Sequence, residues 1–178
     1  MPANKKIVIV GKYGMLSSGL YLYLKKKFKT RPYSRKEFNI LNDNLDKLHI
    51  KKNNFVINAA GLTNRDLKKR SKFDFYYINS IFPRRLADHC KKKKAKLIHI
   101  STDGVFDGKQ GLYKENSSSF TEDIYGKSKL FGEPDNSMVI RSAVFGPERK
   151  NFHMFFCWFL SPKKKVNGYT NFYFNGVS

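Results

Sequence analysis

The sequence predicts an α/β fold: a Rossmann-like, doubly wound parallel sheet with helices on both faces. Three observations predict it. "KIVIVG" (Lys6 to Gly11) is a β-branched run that closes on glycine and leads straight into a helical pattern. Short apolar runs then recur, each separated from the next by a helix-patterned or polar stretch, and strands alternating with helices argue for parallel pairing. The runs are apolar almost throughout rather than alternating, as befits strands covered on both faces.

Each element follows in order. After the first strand, "MLSSGLYLYLKKKF" places Leu16, Leu20 and Leu24 on one helical face. A second strand is expected near "TRPYSR". "NNFVINAAG" (Asn53 to Gly61) is a third, closing on small residues. "FDFYYINSIFPRRLADHCKKKK" reads as a long helix in which Pro83 must produce a kink or a new start, since proline has no N–H to give. "AKLIHIS" (Ala95 to Ser101) is a strand and "IYGKSKLFGE" a helix. "SMVIRSAVFG" (Ser137 to Gly146) is one further strand, and "ENSSSFTED" is a polar loop.

Composition narrows the function classes. The 178 residues are 40% hydrophobic and 28% charged, enough apolar content for a core. Cys90 and Cys157 have neither metal nor CxxC spacing, which suits a reducing compartment. The N-terminal apolar run is too short for a signal peptide, and no stretch approaches a membrane span of about 20 residues. A cytoplasmic protein without a membrane partner is expected. No cluster of His, Cys, Asp and Glu has metal-ligand spacing. Lys and Arg total 35 against 14 Asp and Glu, a net charge of +21. Nucleic acid, an anionic membrane and an anionic small ligand are all compatible with that excess. It falls partly in runs, Lys25 to Lys27, Lys91 to Lys94 and Lys163 to Lys165. The first two lie at expected helix C-termini, where cations suit the helix dipole. With no aromatic-interleaved basic motif, solvated lysine-rich faces are favoured and a nucleic-acid partner is disfavoured.

Several residues point to dinucleotide chemistry. In "GKYGMLSSG", Gly11 and Gly14 give a tight turn that brings backbone N–H groups to a diphosphate at a helix N-terminus, with Ser17 where a third glycine is usual. "YSRKEF" supplies Ser34 and Arg35 at the end of the second strand. A carboxylate there would favour NAD, whereas Arg35 suits the 2′-phosphate of NADP. Ala59, Ala60 and Gly61 leave room for a cofactor across the strand ends. Thr102 closes a strand. Tyr125 and Lys129 share a helical face at i, i+4. An ammonium ~4 Å from the phenol, at an effective dielectric of ~20, would stabilise the phenolate by roughly 4 kcal/mol, enough to bring the phenol from about 10 to near 7. Such a set delivers a proton to a carbonyl while a nicotinamide delivers hydride.

In this order, "GKYGMLSSGL", "NAAG", "HISTDGVFDG", "YGKSKLFGE" and "VIRSAVFG" resemble the dTDP-4-dehydrorhamnose reductase family of the extended short-chain dehydrogenase/reductase superfamily. "GYTNFYFNGVS" is similar as well. The resemblance implies Thr102, Asp103, Tyr125 and Lys129 as the catalytic set. It implies Gly11, Gly14, Met15 and Leu16 at the diphosphate turn, Ala59, Ala60 and Gly61 along the cofactor, and Asn79 as a supporting helix residue. Lys129 is implied to hold the cofactor's ribose as well. The implied reaction is NADPH-dependent reduction of the 4-keto group of a nucleoside-diphosphate 4-keto-6-deoxyhexose, for deoxysugar and polysaccharide synthesis. The implied organisation is an NADP-binding domain over residues 1–150 and the beginning of an incomplete substrate-binding region over 151–178. Ser17 at the third glycine position is expected to loosen cofactor binding. A chain ending at Ser178 is expected to lack the cover over the sugar, leaving "FHMFFCWFL" to drive self-association, as a homodimer. Two rival readings are a catalytically idle NADP-binding regulatory subunit, similar to that of methionine adenosyltransferase, and a basic nucleic-acid-binding protein.

Overall fold

The computed structural model of the chain describes residues 6–118, 120–147, 155–160, 170 and 176–177. Strands β1 (Lys6–Val10), β2 (Lys29–Tyr33), β3 (Phe55–Asn58), β4 (Lys96–Ile100) and β5 (Met138–Ile140) form one sheet, in the order β2-β1-β3-β4-β5. Every pairing is parallel. Helices α1 (Met15–Leu24), α2 (Lys72–Tyr76), α3 (Phe82–Lys92) and α4 (Ile124–Phe131) connect them.

The period of two along each strand divides the core into two layers. Val8, Val10, Val56 and Leu97 face Phe82, Leu86, Ala87 and Cys90 of α3, with Phe38, Leu48 and Ile50 beside them. Ile7, Ile9 and Ile57 face Leu20, Tyr21 and Leu24 of α1. Val8 and Ile9 are fully buried neighbours on opposite faces, each contributing roughly 1.5–3 kcal/mol of hydrophobic stabilisation. That is why the first strand reads as apolar throughout.

Three elements depart from the sequence reading. α1 ends at Leu24, not Phe28, and residues 25–28 turn the chain into β2 with Lys25 N–H bonded to Tyr21 O and Phe28 N–H to Leu24 O. The long helix does change at Pro83, which falls in the first turn of a new α-helical segment, α3, but the join is not a break in the helix. A π-helical turn, Tyr77–Ile81, joins α2 to α3, and the N–H of Phe82 reaches back to Tyr77 O. The wider turn lets the helix run on into the proline that cannot donate. The expected strand over 137–146 is two strands. β5 ends at Ile140, and β6 (Ala143–Val144) pairs in parallel with β7 (Gly176–Val177) in a separate two-stranded sheet. Arg141 lies between them, and its guanidinium is anchored on Glu133. A further short helix, α5 (Phe155–Phe159), carries part of the apolar stretch expected to self-associate. Lys163 to Lys165, and all of "GYTNFYFNGVS" except residues 170 and 176–177, lie outside the described residues.

Candidate active site

Because the strands are parallel, the loops after β1, β2, β3 and β4 gather at one edge, where open α/β sheets bind ligands. The turn after β1 depends on Gly11. Its φ is +105°, and a Cβ there would lie 3.0 Å from the backbone nitrogen of Ala60 and 3.1 Å from Ala59. Gly14 caps α1 in an extended conformation, with no side-chain hydrogen bond and no acidic residue in the first turn. The first N–H groups of α1, from Met15 and Leu16 onward, are therefore not claimed by a side-chain cap, the arrangement that suits a diphosphate. Ser17 is buried, and its hydroxyl donates to Gly11 O and lies 3.1 Å from Gly14 O. It ties the turn together.

A cleft of about 290 Å³ opens on this turn and is lined by Gly11, Gly14, Ser34, Arg35, Ala59, Ala60 and Gly61. These are the predicted cofactor residues, apart from Met15 and Leu16 at the helix start and the Tyr125–Lys129 pair beyond the cleft. Lys12 and Arg70 add two cations to its lining that the sequence reading missed. It also missed Glu37. The N–H and hydroxyl of Ser34 both donate to Glu37, at 2.9 and 2.7 Å, and Lys12 Nζ lies 3.5 Å away. Those bonds from Ser34, with Lys12 assisting, hold the Glu37 carboxyl below its ordinary range. Ser34 is thus committed to Glu37, while Arg35 is exposed on the rim.

Beyond Gly61 the edge continues into the second group of predicted residues. A Cβ at Gly61 would lie 3.8 Å from Lys129 Nζ. Asn79 holds this region together: its amide donates to Leu62 O (3.0 Å) and Ser128 Oγ (2.9 Å) and accepts from Leu62 N–H (2.8 Å). Ser80 donates to Ser128 O at 2.7 Å. α4 is thereby fixed to the π-helical turn and to the loop after β3. Its N-terminus is capped by Asp123, which accepts from Gly126 N–H.

Thr102 is buried just past β4. Its hydroxyl accepts from Gly104 N–H at 3.1 Å and lies 3.2 Å from Asp103 Oδ1, to which it donates. Burial raises the pKa of Tyr125. A hydrogen bond with Thr102 acts in the opposite direction, and the carboxylates of Asp103 and Asp123 add to the rise. Lys129 is 5% exposed and donates to Ile100 O at 2.6 Å. Burial lowers its pKa to about 8 against the pull of Glu133. The sequence expectation that Lys129 would draw Tyr125 down toward 7 does not hold in this geometry. The ammonium is engaged by the β4 carbonyl, and desolvation of the phenol prevails.

Two polar arrangements, the first buried and the second half-buried, escaped sequence reasoning. Asn58 Nδ2 donates to His99 Nδ1 at 3.1 Å, across the β3–β4 pairing that places these residues side by side. Glu133 accepts from Arg141 Nε and Nη2 (3.0 and 2.7 Å) and from Ser101 Oγ (2.6 Å). Arg141 also donates to Glu115 O at 3.0 Å and lies over the Phe106 ring. This pair joins the end of α4 to the strand end that carries Thr102. Both residues sit in recognisable motifs, but nothing in their spacing pairs them. Among the described residues no group of ligating side chains is assembled for a metal.

A family model, the RmlD substrate binding domain, matches residues 5–167. A dTDP-4-dehydrorhamnose reductase of Mycobacterium tuberculosis is 29% identical over 136 residues, covering 73% of this chain and 45% of the relative. That of Aggregatibacter actinomycetemcomitans is 35% identical over 109 residues, covering 57% and 37%. Among solved structures, dTDP-4-dehydrorhamnose reductase of Bacillus anthracis in complex with NADP superposes with a TM-score of 0.72 at 27% identity, covering 83% of this chain and 57% of the other. A Clostridium acetobutylicum counterpart gives 0.70 at 32% identity, covering 79% and 54%. The chain spans under half the length of these two sequence relatives.

Proposed function

We propose, on the premise that this chain belongs to the RmlD substrate binding domain family, that it holds NADP(H) and donates the proton in reduction of the 4-keto group of a nucleoside-diphosphate 4-keto-6-deoxyhexose. One observation carries the reading: the glycine-turn cleft ends at Gly61, where a Cβ would stand 3.8 Å from Lys129 Nζ, and Tyr125 and Thr102 follow beyond it on the same edge of the sheet. The relatives are named reductases of such a sugar, and one solved neighbour holds NADP. Residues 1–150 are assigned to the cofactor, and 151–178 to the opening of a substrate-binding region.

The residues present fit the cofactor. The uncapped start of α1 suits the diphosphate, and Arg35, with Lys12 and Arg70 nearby, suits a 2′-phosphate. Glu37 is the carboxylate that would otherwise favour unphosphorylated ribose, but Ser34 and Lys12 already occupy it. When bound, NADPH supplies the hydride. Thr102 holds the keto oxygen. Tyr125, whose raised pKa keeps it protonated at neutral pH, gives its proton to that oxygen as negative charge develops there. Lys129 holds ribose hydroxyls and offers positive charge to the phenolate left behind. Asp103 accepts the single Thr102 hydroxyl proton until the keto oxygen replaces it as the acceptor.

Calorimetric titration of the 178-residue chain is expected to show 1:1 NADPH binding, tighter than NADH. Arg35→Ala should reduce that preference roughly tenfold or more, as loss of a charge-assisted bond of about 1.5–3 kcal/mol requires. Equal affinity for the two cofactors would remove the 2′-phosphate assignment. Tyr125→Phe should leave NADPH binding within about twofold and cut reduction of dTDP-4-dehydrorhamnose by ~100-fold or more. Turnover that survived in the phenylalanine variant would assign the proton to another group.

A further inference from the structure

We propose that the end of the sheet opposite the candidate site is a docking face for an anionic lipid surface. Among the described residues, the fold collects the cationic runs there. Lys6, Lys29 and Lys96 begin β1, β2 and β4, and Lys51 and Lys52 precede β3. Lys25 to Lys27 follow the last turn of α1, and Lys91 to Lys94 close α3. All but Lys6 are exposed. The runs from separate parts of the chain meet: Asn53 N–H bonds to Lys94 O and Lys96 N–H to Asn54 O. Carboxylates are sparse here. Asp46 is taken by Lys93 at 3.1 Å, with His89 at 3.9 Å, Asp88 receives Asn136, and the exposed Asp135 before β5 lies 3.9 Å from Arg84. Acidic residues gather at the other end instead, where Asp103, Asp107, Glu115, Glu122 and Asp123 all fall in the connection from β4 to α4.

The cations are kept against local cost. Lys6 and Lys29 are paired in register on adjacent strands, a like-charge placement that opposes pairing. Burial, then Arg31, Lys29 and Lys51 nearby, push the Lys6 ammonium down. Lys94 has φ +54° in the turn that ends α3, where Ala95 N–H returns to Cys90 O and glycine is the unstrained choice. A polyanion held against this end offsets the mutual repulsion.

The relief of this end selects the polyanion. Among the described residues it is built from the short connections 25–28, 49–54 and 93–95, which carry no helix or strand of their own to enter a nucleic-acid groove. The Tyr21 and Tyr23 rings carry Lys25 and Lys27 at 5.4 and 5.0 Å, so these faces are not open platforms for base stacking. Arg31 is the one arginine among the described cations named here. Lysine ammoniums on flexible stems suit a diffuse headgroup layer more than bidentate phosphate recognition. Among the described residues no helix is long and apolar enough to cross a membrane. Docked this way, the candidate site faces away from the lipid and stays open. The assignment does not depend on the reductase reading.

Vesicle flotation tests it. The 178-residue chain should float with phosphatidylcholine vesicles containing ~30% phosphatidylglycerol at about 0.1 M salt, and should stay behind with phosphatidylcholine alone or at about 0.5 M salt. Replacing Lys51, Lys52, Lys93 and Lys94 with Gln should lower vesicle affinity more than ~tenfold with the thermal melt retained. Lys25, Lys26 and Lys27→Gln on the same face provide a second variant with the same expected loss. Lys68, Lys69, Lys109 and Lys114→Gln, exposed elsewhere, should change it less than about threefold. No flotation with anionic vesicles, or an equal loss in the control variant, would overturn the proposal. So would tighter binding to an oligonucleotide than to vesicles at equal phosphate and salt, which would reassign the face to nucleic acid.

Discussion

Lys129 shows what a single residue at the candidate site costs the fold. Its ammonium is buried and has one hydrogen-bonded partner, the carbonyl of Ile100. A pKa lowered to about 8 from an ordinary value near 10.5 means that the folded state releases this proton more readily than the unfolded chain. Below pH 8 both states carry the charge, and folding bears the whole penalty, on the order of 3 kcal/mol. Between pH 8 and about 10.5 the unfolded chain binds more protons than the native one, so stability rises with pH until the penalty is gone. Lys129→Met is therefore expected to raise stability to urea at pH 7 and to abolish reduction. The gain should shrink toward zero near pH 10.5. A methionine variant less stable than the parent at neutral pH would mean that the Ile100 bond outweighs the desolvation.

At the scale of elements, α4 is positioned by a defect in the helix beside it. Pro83 cannot donate to the carbonyl four residues earlier, that of Asn79, and the π-helical turn Tyr77–Ile81 absorbs the mismatch. Gly132, closing α4, packs on that carbonyl so closely that a Cβ would stand 1.8 Å from Asn79 O. The same turn presents Asn79 and Ser80 to Ser128, beside Lys129. Proline, π-helical turn and glycine therefore act together to set the height of the Tyr125–Lys129 pair. Gly132→Ala should destabilise by about 3 kcal/mol or more, because backbone rather than a yielding side chain meets the added methyl. It should also lower turnover by more than NADPH binding. A melting temperature within about 2 °C of the parent would show that α4 has room to shift.

Across the whole molecule, the response to acid is set at the centre of the sheet. His99 is fully buried on β4 and accepts from Asn58, which leaves its proton on Nε2. Burial, with Lys129 nearby, lowers its pKa to about 3 from 6.5. As pH falls through 6.5 the unfolded chain takes up a proton that the native state refuses, and stability declines until about pH 3. The total loss is on the order of 5 kcal/mol, comparable with the full stability of many domains. The excess of cations adds self-repulsion in the same range. Urea unfolding followed from pH 7 to 4 should show a steep decline, and His99→Gln should flatten it. An unchanged slope in that variant would place the acid sensitivity elsewhere.

The sequence by itself determined the parallel sheet, its first four strands, the glycine turn, and the helix that carries Tyr125 and Lys129 on one face. These are written locally, in apolar runs, in glycine placement and in an i, i+4 spacing. Tertiary structure alone decided what joins distant segments or depends on burial. The Asn58–His99 pair exists only because β3 and β4 are in register. Arg141 finds Glu133 only because β5 ends beside α4, and that anchor separates β5 from β6 where the residues alone read as one strand. Lys129 shares a helical face with Tyr125, as the spacing requires, yet its ammonium goes to Ile100 and the phenol's pKa rises. Spacing fixes which side chains are neighbours along a helix, whereas desolvation depends on everything packed around them. The lysine runs were legible as charge, but their assembly at one end of the sheet was not. Turns far apart in the chain meet there because parallel strands all start at the same edge.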